Sequence, residues 1–101
     1  MSLKCDIYIG SENGSRKLSH DYIGKVVEWA NENFPEGYTL VTGKGFYNGS
    51  TEDSIILSVL SDGSSGAYHG PNFRKSVNGL KTSLGQESIL LSKHPVRLVS
   101  Y

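Results

Sequence analysis

The chain has 101 residues, enough for one domain around one hydrophobic core. Ten basic residues balance ten acidic ones, so the charge gives no sign of the basic surface that nucleic acid or an anionic membrane would favour. The single cysteine excludes an intrachain disulfide, and no apolar run is long enough for a membrane-spanning helix. We therefore treat residues 1–101 as one domain and predict no nucleic-acid or membrane partner. The lack of an apolar signal segment predicts a cytoplasmic location.

The first two predicted elements are a strand and a helix. Apolar and polar residues alternate over positions 4–9, which is typical of a strand with one buried face. Ser19 is a good helix N-cap, because its hydroxyl can accept from a free backbone N–H of the first turn. Apolar residues then recur at helical spacing until Pro35, which disfavours helix at the residue before it. These signals predict a helix over residues 20–33.

The middle of the chain predicts a β-hairpin. Asn48-Gly49 is the preferred dipeptide for a two-residue hairpin turn, because both positions need a positive φ. The turn joins a strand at about residues 38–47 to a strand at 50–60, and it fixes their register. That register pairs Leu40 with Leu57, Thr42 with Ile55 and Lys44 with Asp53.

The last third of the chain predicts a loop, a second helix and two strands. Residues 61–70 are rich in Gly and Ser, which indicates a loop. The helix that follows ends before Gly85, a typical C-terminal stop. We expect one strand at residues 87–92 and a short final strand at 96–101, separated by a break at Pro95. The apolar stripe of the helix consists of Phe73, Val77, Leu80 and Leu84.

The order of these elements predicts the fold. Strand, helix, strand, strand, helix and strand is the order of the ferredoxin-like plan, an α+β architecture. In that plan an antiparallel sheet carries both helices on one face. We therefore predict a ferredoxin-like βαββαβ domain with an extra C-terminal strand.

Four short segments resemble a family of small bacterial proteins of unknown function. They are Phe34-Pro35-Glu36-Gly37-Tyr38-Thr39, Gly43-Lys44-Gly45-Phe46, the single residue Glu52, and Gln86-Glu87-Ser88-Ile89-Leu90. This resemblance covers about half the chain and implies a fold but no activity. The order of elements is also similar to that of PII-type signalling proteins, which bind nucleotides between subunits, and this likeness is one of fold alone.

Five polar or aromatic residues are candidates for chemistry or ligand binding. Glu52 and Glu87 are the candidate acid–base residues, because both lie in segments that carry the family resemblance. Lys44 and Tyr47, near the hairpin turn, and Gln86 are the candidate ligand-binding residues. The alternative interpretation is a solvated carboxylate at the hairpin and a polar entry into the late strand.

The histidines and the cysteine do not predict a metal site. His20, His69 and His94 are scattered and form no His-x-x-His or Glu-x-x-His spacing. Cys5 falls on the predicted buried face of the first strand, where a small apolar role is more common than a nucleophilic one. We predict no metal and no other cofactor.

One face of the hairpin predicts self-association. If both helices cover the other face, this face of small and apolar residues needs a cover, and a symmetric homo-oligomer, with a dimer favoured, would supply it. The alternative is a solvated sheet face, which antiparallel sheets tolerate. The residues of the predicted oligomer face are Thr39, Val41, Gly43, Gly45, Ile56 and Ser58.

Two functional hypotheses follow from these patterns. The first is a homo-oligomeric binding or assembly module with a small ligand at the subunit seam. The second is a small enzyme that uses Glu52 or Glu87 as an acid or base in a cleft between subunits.

Overall fold

The residues that the structure describes form two helices and four strands. The computed structural model describes residues 2–61 and 71–101, so positions 62–70 of the predicted loop, including His69, lie outside the described residues. The strands form one antiparallel sheet in the spatial order β2-β3-β1-β4, and the predicted α+β class is confirmed. The elements are β1 (Ser2–Gly10), α1 (His20–Asn33), β2 (Thr39–Tyr47), β3 (Ser50–Ser61), α2 (Pro71–Leu84) and β4 (Leu90–Val96).

Helix α1 begins and ends at the predicted residues. The Ser19 hydroxyl oxygen accepts a hydrogen bond from the backbone N–H of Tyr22 at 3.1 Å, as an N-cap should. The helix ends at Asn33, two residues before Pro35. No described helix is long and apolar enough to cross a membrane.

The β2–β3 hairpin has the predicted turn and register. Asn48 and Gly49 have φ values of +48° and +76°, as the two central positions of this turn require. Ion pairing between Lys44 and Asp53 joins the two strands across the register. The pairs Leu40–Leu57, Thr42–Ile55 and Lys44–Asp53 are all confirmed.

Both helices pack on the same face of the sheet. The Trp29 indole N–H lies between them and donates to the Ser76 carbonyl at 3.1 Å and hydroxyl at 2.9 Å. Cys5 is buried there, and this burial raises the pKa of its thiol. The core consists of Cys5, Ile7, Ile9, Tyr22, Val26, Ala30, Phe34, Ile55, Leu57, Val59, Phe73, Val77, Leu80 and Leu84.

The prediction of an extra C-terminal strand is wrong. A single strand, β4, runs from Leu90 through Pro95 to Val96, and residues 97–101 are not in a strand. In the described sheet β4 lies at the edge and pairs with β1 alone. An edge strand tolerates proline because the missing N–H can face outward. Pro95 therefore lies inside the strand instead of dividing it.

Candidate functional site

The candidate site lies where β1 ends. Gly10, the last residue of β1, pairs with Ser54 of β3, and Glu52 lies two residues before Ser54 on the same face of the sheet. Gln86 comes just after α2, where Gly85 turns the chain with a φ of +69°. Three distant parts of the chain thus bring Glu52 and Gln86 together beside Gly10.

Two hydrogen bonds fix the orientation of the Gln86 amide. Its Nε2 donates to the Ser11 carbonyl at 2.7 Å and to the Tyr22 hydroxyl at 2.9 Å. The Tyr22 hydroxyl in turn donates to the Gly10 carbonyl at 2.5 Å. A carbonyl oxygen can only accept, so the amide nitrogen must face Ser11 and the amide oxygen must point elsewhere.

That amide oxygen points to the space above Gly10. A Cβ on Gly10 would lie 3.1 Å from Gln86 Oε1 and 3.8 Å from Glu52 Oε1. The φ of Gly10 is not in the left-handed region, so the backbone itself does not require glycine here. The missing side chain instead lets two acceptor oxygens approach one place at the end of β1.

Tyr22 is the buried support of the site. Burial raises the pKa of its hydroxyl; the hydrogen bond from Gln86 lowers it, and the carboxylates of Glu12 and Glu52 raise it. The net effect keeps the hydroxyl protonated, so it continues to donate to the Gly10 carbonyl. The Tyr22 hydroxyl, which accepts the hydrogen bond from Gln86, is therefore neutral and fixed in position.

Glu52 is the exposed carboxylate of the site. Its Oε2 accepts a long hydrogen bond of 3.4 Å from the Ser11 hydroxyl, and it forms no ion pair with any other described residue. The predicted ligand residue Tyr47 lines a hollow of about 300 Å³ beside Glu52. Glu52 lines this hollow together with Arg16, Tyr47, Asn48, Ser50 and Thr51.

Two predicted site residues lie apart from this cluster. Lys44 is on the helix-covered face of β2, where its ammonium hydrogen bonds to Asp53 and lowers the pKa of that carboxyl. Glu87 is exposed, and within the described ranges 2–61 and 71–101 it makes no hydrogen bond to the site. The same ranges contain no group of three His, Cys, Asp or Glu side chains that could hold a metal ion.

The sequence analysis missed Gly10, Ser11 and Tyr22. Tyr22 lies four residues before Val26 and so continues the buried stripe of α1 by one turn, which is a readable signal. Gly10 and Ser11 have no such signal, because only their positions next to α1 and the α2–β4 connection give them a role.

The sheet face away from the helices carries a row of apolar side chains. Cross-strand pairing aligns Val41, Ile56, Tyr8 and Leu90, one from each strand, and all but Ile56 are substantially exposed. We call these four residues the open-face row. The six residues of the predicted oligomer face lie on this same face of β2 and β3. Tyr8 and Leu90 could be added only once the strand order was known.

Comparison with family models and with curated proteins gives no match. Among solved structures, a phage SAM lyase in complex with S-methyl-5′-thioadenosine is similar with a TM-score of 0.63 and 19% identity, over 92% of this chain and 80% of the lyase. At3g17210 from Arabidopsis thaliana is similar with a TM-score of 0.55 and 13% identity, over 97% of this chain and 99% of that one.

A dimeric ferredoxin-like protein of unknown function from Thermobifida fusca is also similar. Its TM-score is 0.50 at 14% identity, over 94% of this chain and 92% of that protein. At such identities the likeness concerns the fold alone. The chain therefore shares its fold with ferredoxin-like proteins, one of them of unknown function, and no match confirms the resemblance to the small bacterial family.

Proposed function

We propose that this protein is a small enzyme that binds S-adenosylmethionine beside Glu52 and releases S-methyl-5′-thioadenosine. The observation that carries the proposal is the convergence of Glu52 and Gln86 oxygens above Gly10, next to a hollow of about 300 Å³. A sulfonium substrate is a cation, and an accessible carboxylate without an ion-pair partner in the described chain suits it. The fold shared with a SAM lyase supports the choice of substrate.

The proposed reaction breaks one carbon–sulfur bond. S-methyl-5′-thioadenosine keeps the methyl and adenosyl groups, so the bond that breaks joins sulfur to the four-carbon amino-acid part. The bonding electron pair goes to sulfur, which becomes a neutral thioether. The four-carbon part regains its valence when its own carboxylate closes onto the released carbon, giving a lactone, or when a proton on the adjacent carbon goes to Glu52, giving an alkene.

The test is to incubate the purified protein with S-adenosylmethionine and to measure S-methyl-5′-thioadenosine by chromatography. We expect Glu52→Gln to slow its release about tenfold or more, because the variant loses the charge that faces the substrate. Glu87→Gln is the matched control and should retain the wild-type rate. No release by the wild type, or a greater loss in Glu87→Gln, would contradict the proposal. The mass of the second product distinguishes lactone from alkene.

We also propose that the protein is a homo-oligomer, with a dimer favoured, that associates through the predicted oligomer face. The open-face row favours this, because it leaves apolar side chains on a sheet face that neither described helix covers. Glu52 lies on the same face as the row, so association there would put the site near the subunit seam. The similarity in fold to a dimeric ferredoxin-like protein supports a dimer. If the enzyme assay fails, assembly with a small ligand at the seam is the second candidate function.

A further inference from the structure

We infer that the space above Gly10, between Gln86 Oε1 and Glu52 Oε1, is the subsite for an ammonium group, the α-amino group of the substrate. This inference rests on the proposed function, because it assigns one end of the proposed substrate. It also names Gly10 and Gln86 as residues that determine specificity for an amino-acid substituent.

The chemistry of the two oxygens selects the ligand group. Both are acceptors, and one carries a negative charge, so the group between them must donate hydrogen bonds and should be positive. An ammonium group has three donors and meets both conditions. A ligand carboxylate or ether oxygen would face two acceptors and be repelled or left without a hydrogen bond.

The orientation of Gln86 makes this preference a fixed one. The amide cannot turn over without bringing its oxygen against the Ser11 carbonyl and losing its bond to Tyr22. Gln86 Oε1 accepts no hydrogen bond from another described residue, so its capacity remains available for a ligand. The site thus presents a preorganised acceptor, which reduces the ordering cost of binding.

Gly10 controls access to this acceptor. An added methyl group would lie only 3.1 Å from Gln86 Oε1, so it would displace the amide and occupy the space that the ammonium group needs. Gly79 offers a control. It lies in α2, outside the predicted oligomer face, and a Cβ on it would meet nothing within 4 Å.

The experiment compares two stable ligands by titration calorimetry. S-adenosylhomocysteine carries the ammonium group but no sulfonium, and S-methyl-5′-thioadenosine carries neither. We expect Gly10→Ala to weaken binding of S-adenosylhomocysteine about tenfold or more, because hydrogen bonds to the charged group are lost. Binding of S-methyl-5′-thioadenosine should stay within about twofold of the wild type. Gly79→Ala should bind both ligands as the wild type does.

Three other results would overturn the inference or call for a second variant. If Gly10→Ala binds S-adenosylhomocysteine normally, or weakens both ligands equally, the subsite is wrong while the proposed function stands. If the wild type binds neither ligand and releases no S-methyl-5′-thioadenosine, the proposed function fails and the subsite fails with it. If Gly10→Ala does not fold, Gln86→Leu replaces it, because this variant removes the acceptor oxygen. Its binding of the same two ligands is then compared with that of the wild type, and thermal unfolding checks that it folds.

Discussion

Ser19 connects the start of α1 to the candidate site. Its hydroxyl oxygen accepts from the N–H of Tyr22, and its proton is donated to the Glu12 carboxylate. The Tyr22 hydroxyl in turn accepts a hydrogen bond from the Gln86 amide. The cap therefore stabilises the turn that carries the buried hydroxyl of the site.

Ser19→Ala should lower the free energy of unfolding by about 1 kcal/mol, the usual cost of losing an N-cap acceptor. Urea unfolding followed by circular dichroism measures this. Ser19→Asn is the control, because its side-chain oxygen can still accept from the first turn, and it should lose less. Equal losses in the two variants would mean that the hydroxyl does not act as a cap.

Individual residues were predictable from sequence only where their role is local. Ser19 and the Asn48-Gly49 turn act on neighbours a few positions away, and both predictions are confirmed. Gly10 and Gln86 are 76 positions apart, and their meeting depends on how α1 and the α2–β4 connection pack against β1. Glu52 was a candidate through the family resemblance, and no local sequence signal distinguished it from Glu87.

At the scale of elements, turn chemistry predicted the hairpin and its full register, whereas the end of the chain was misread. A positive φ at two adjacent positions leaves few alternatives to Asn-Gly, so the hairpin was strongly specified. Pro95 was ambiguous, because a proline breaks a central strand but fits an edge strand. Sequence alone does not say which strands lie at the edge.

Two glycines in different elements should respond to alanine in opposite directions. Gly24 lies inside α1, and a Cβ there meets nothing within 4 Å, so Gly24→Ala should raise the free energy of unfolding by about 0.5–1 kcal/mol. Gly49 has a φ of +76° in the hairpin turn, so Gly49→Ala should lower it by about 1 kcal/mol. Thermal unfolding measures both, and a change of the same sign in both variants would contradict the local conformations assigned here.

At the scale of the whole molecule, the two faces of the sheet differ in what covers them. The helices cover one face, and the open-face row crosses the other over a width of about 14 Å, three interstrand spacings. The sequence predicted the β2 and β3 part of this face from the hairpin register. The strand order extends it to β1 and β4, because Tyr8 pairs with Ile56 on one side and with Leu90 on the other.

Val41→Glu should dissociate the proposed oligomer into monomers, because it places a charge within the open-face row, where association would bury it without a partner. Light scattering over a concentration series measures the mass. Phe46→Ser is the matched control: Phe46 is 78% exposed against 49% for Val41, but its side chain is on the opposite face of β2. It should leave the mass unchanged.

A wild type that stays monomeric at every concentration, or a loss of mass in Phe46→Ser alone, would show that this face does not hold subunits together. Release of S-methyl-5′-thioadenosine by monomeric Val41→Glu would further mean that one chain completes the Glu52 site, whereas loss of both together would locate the site at the seam.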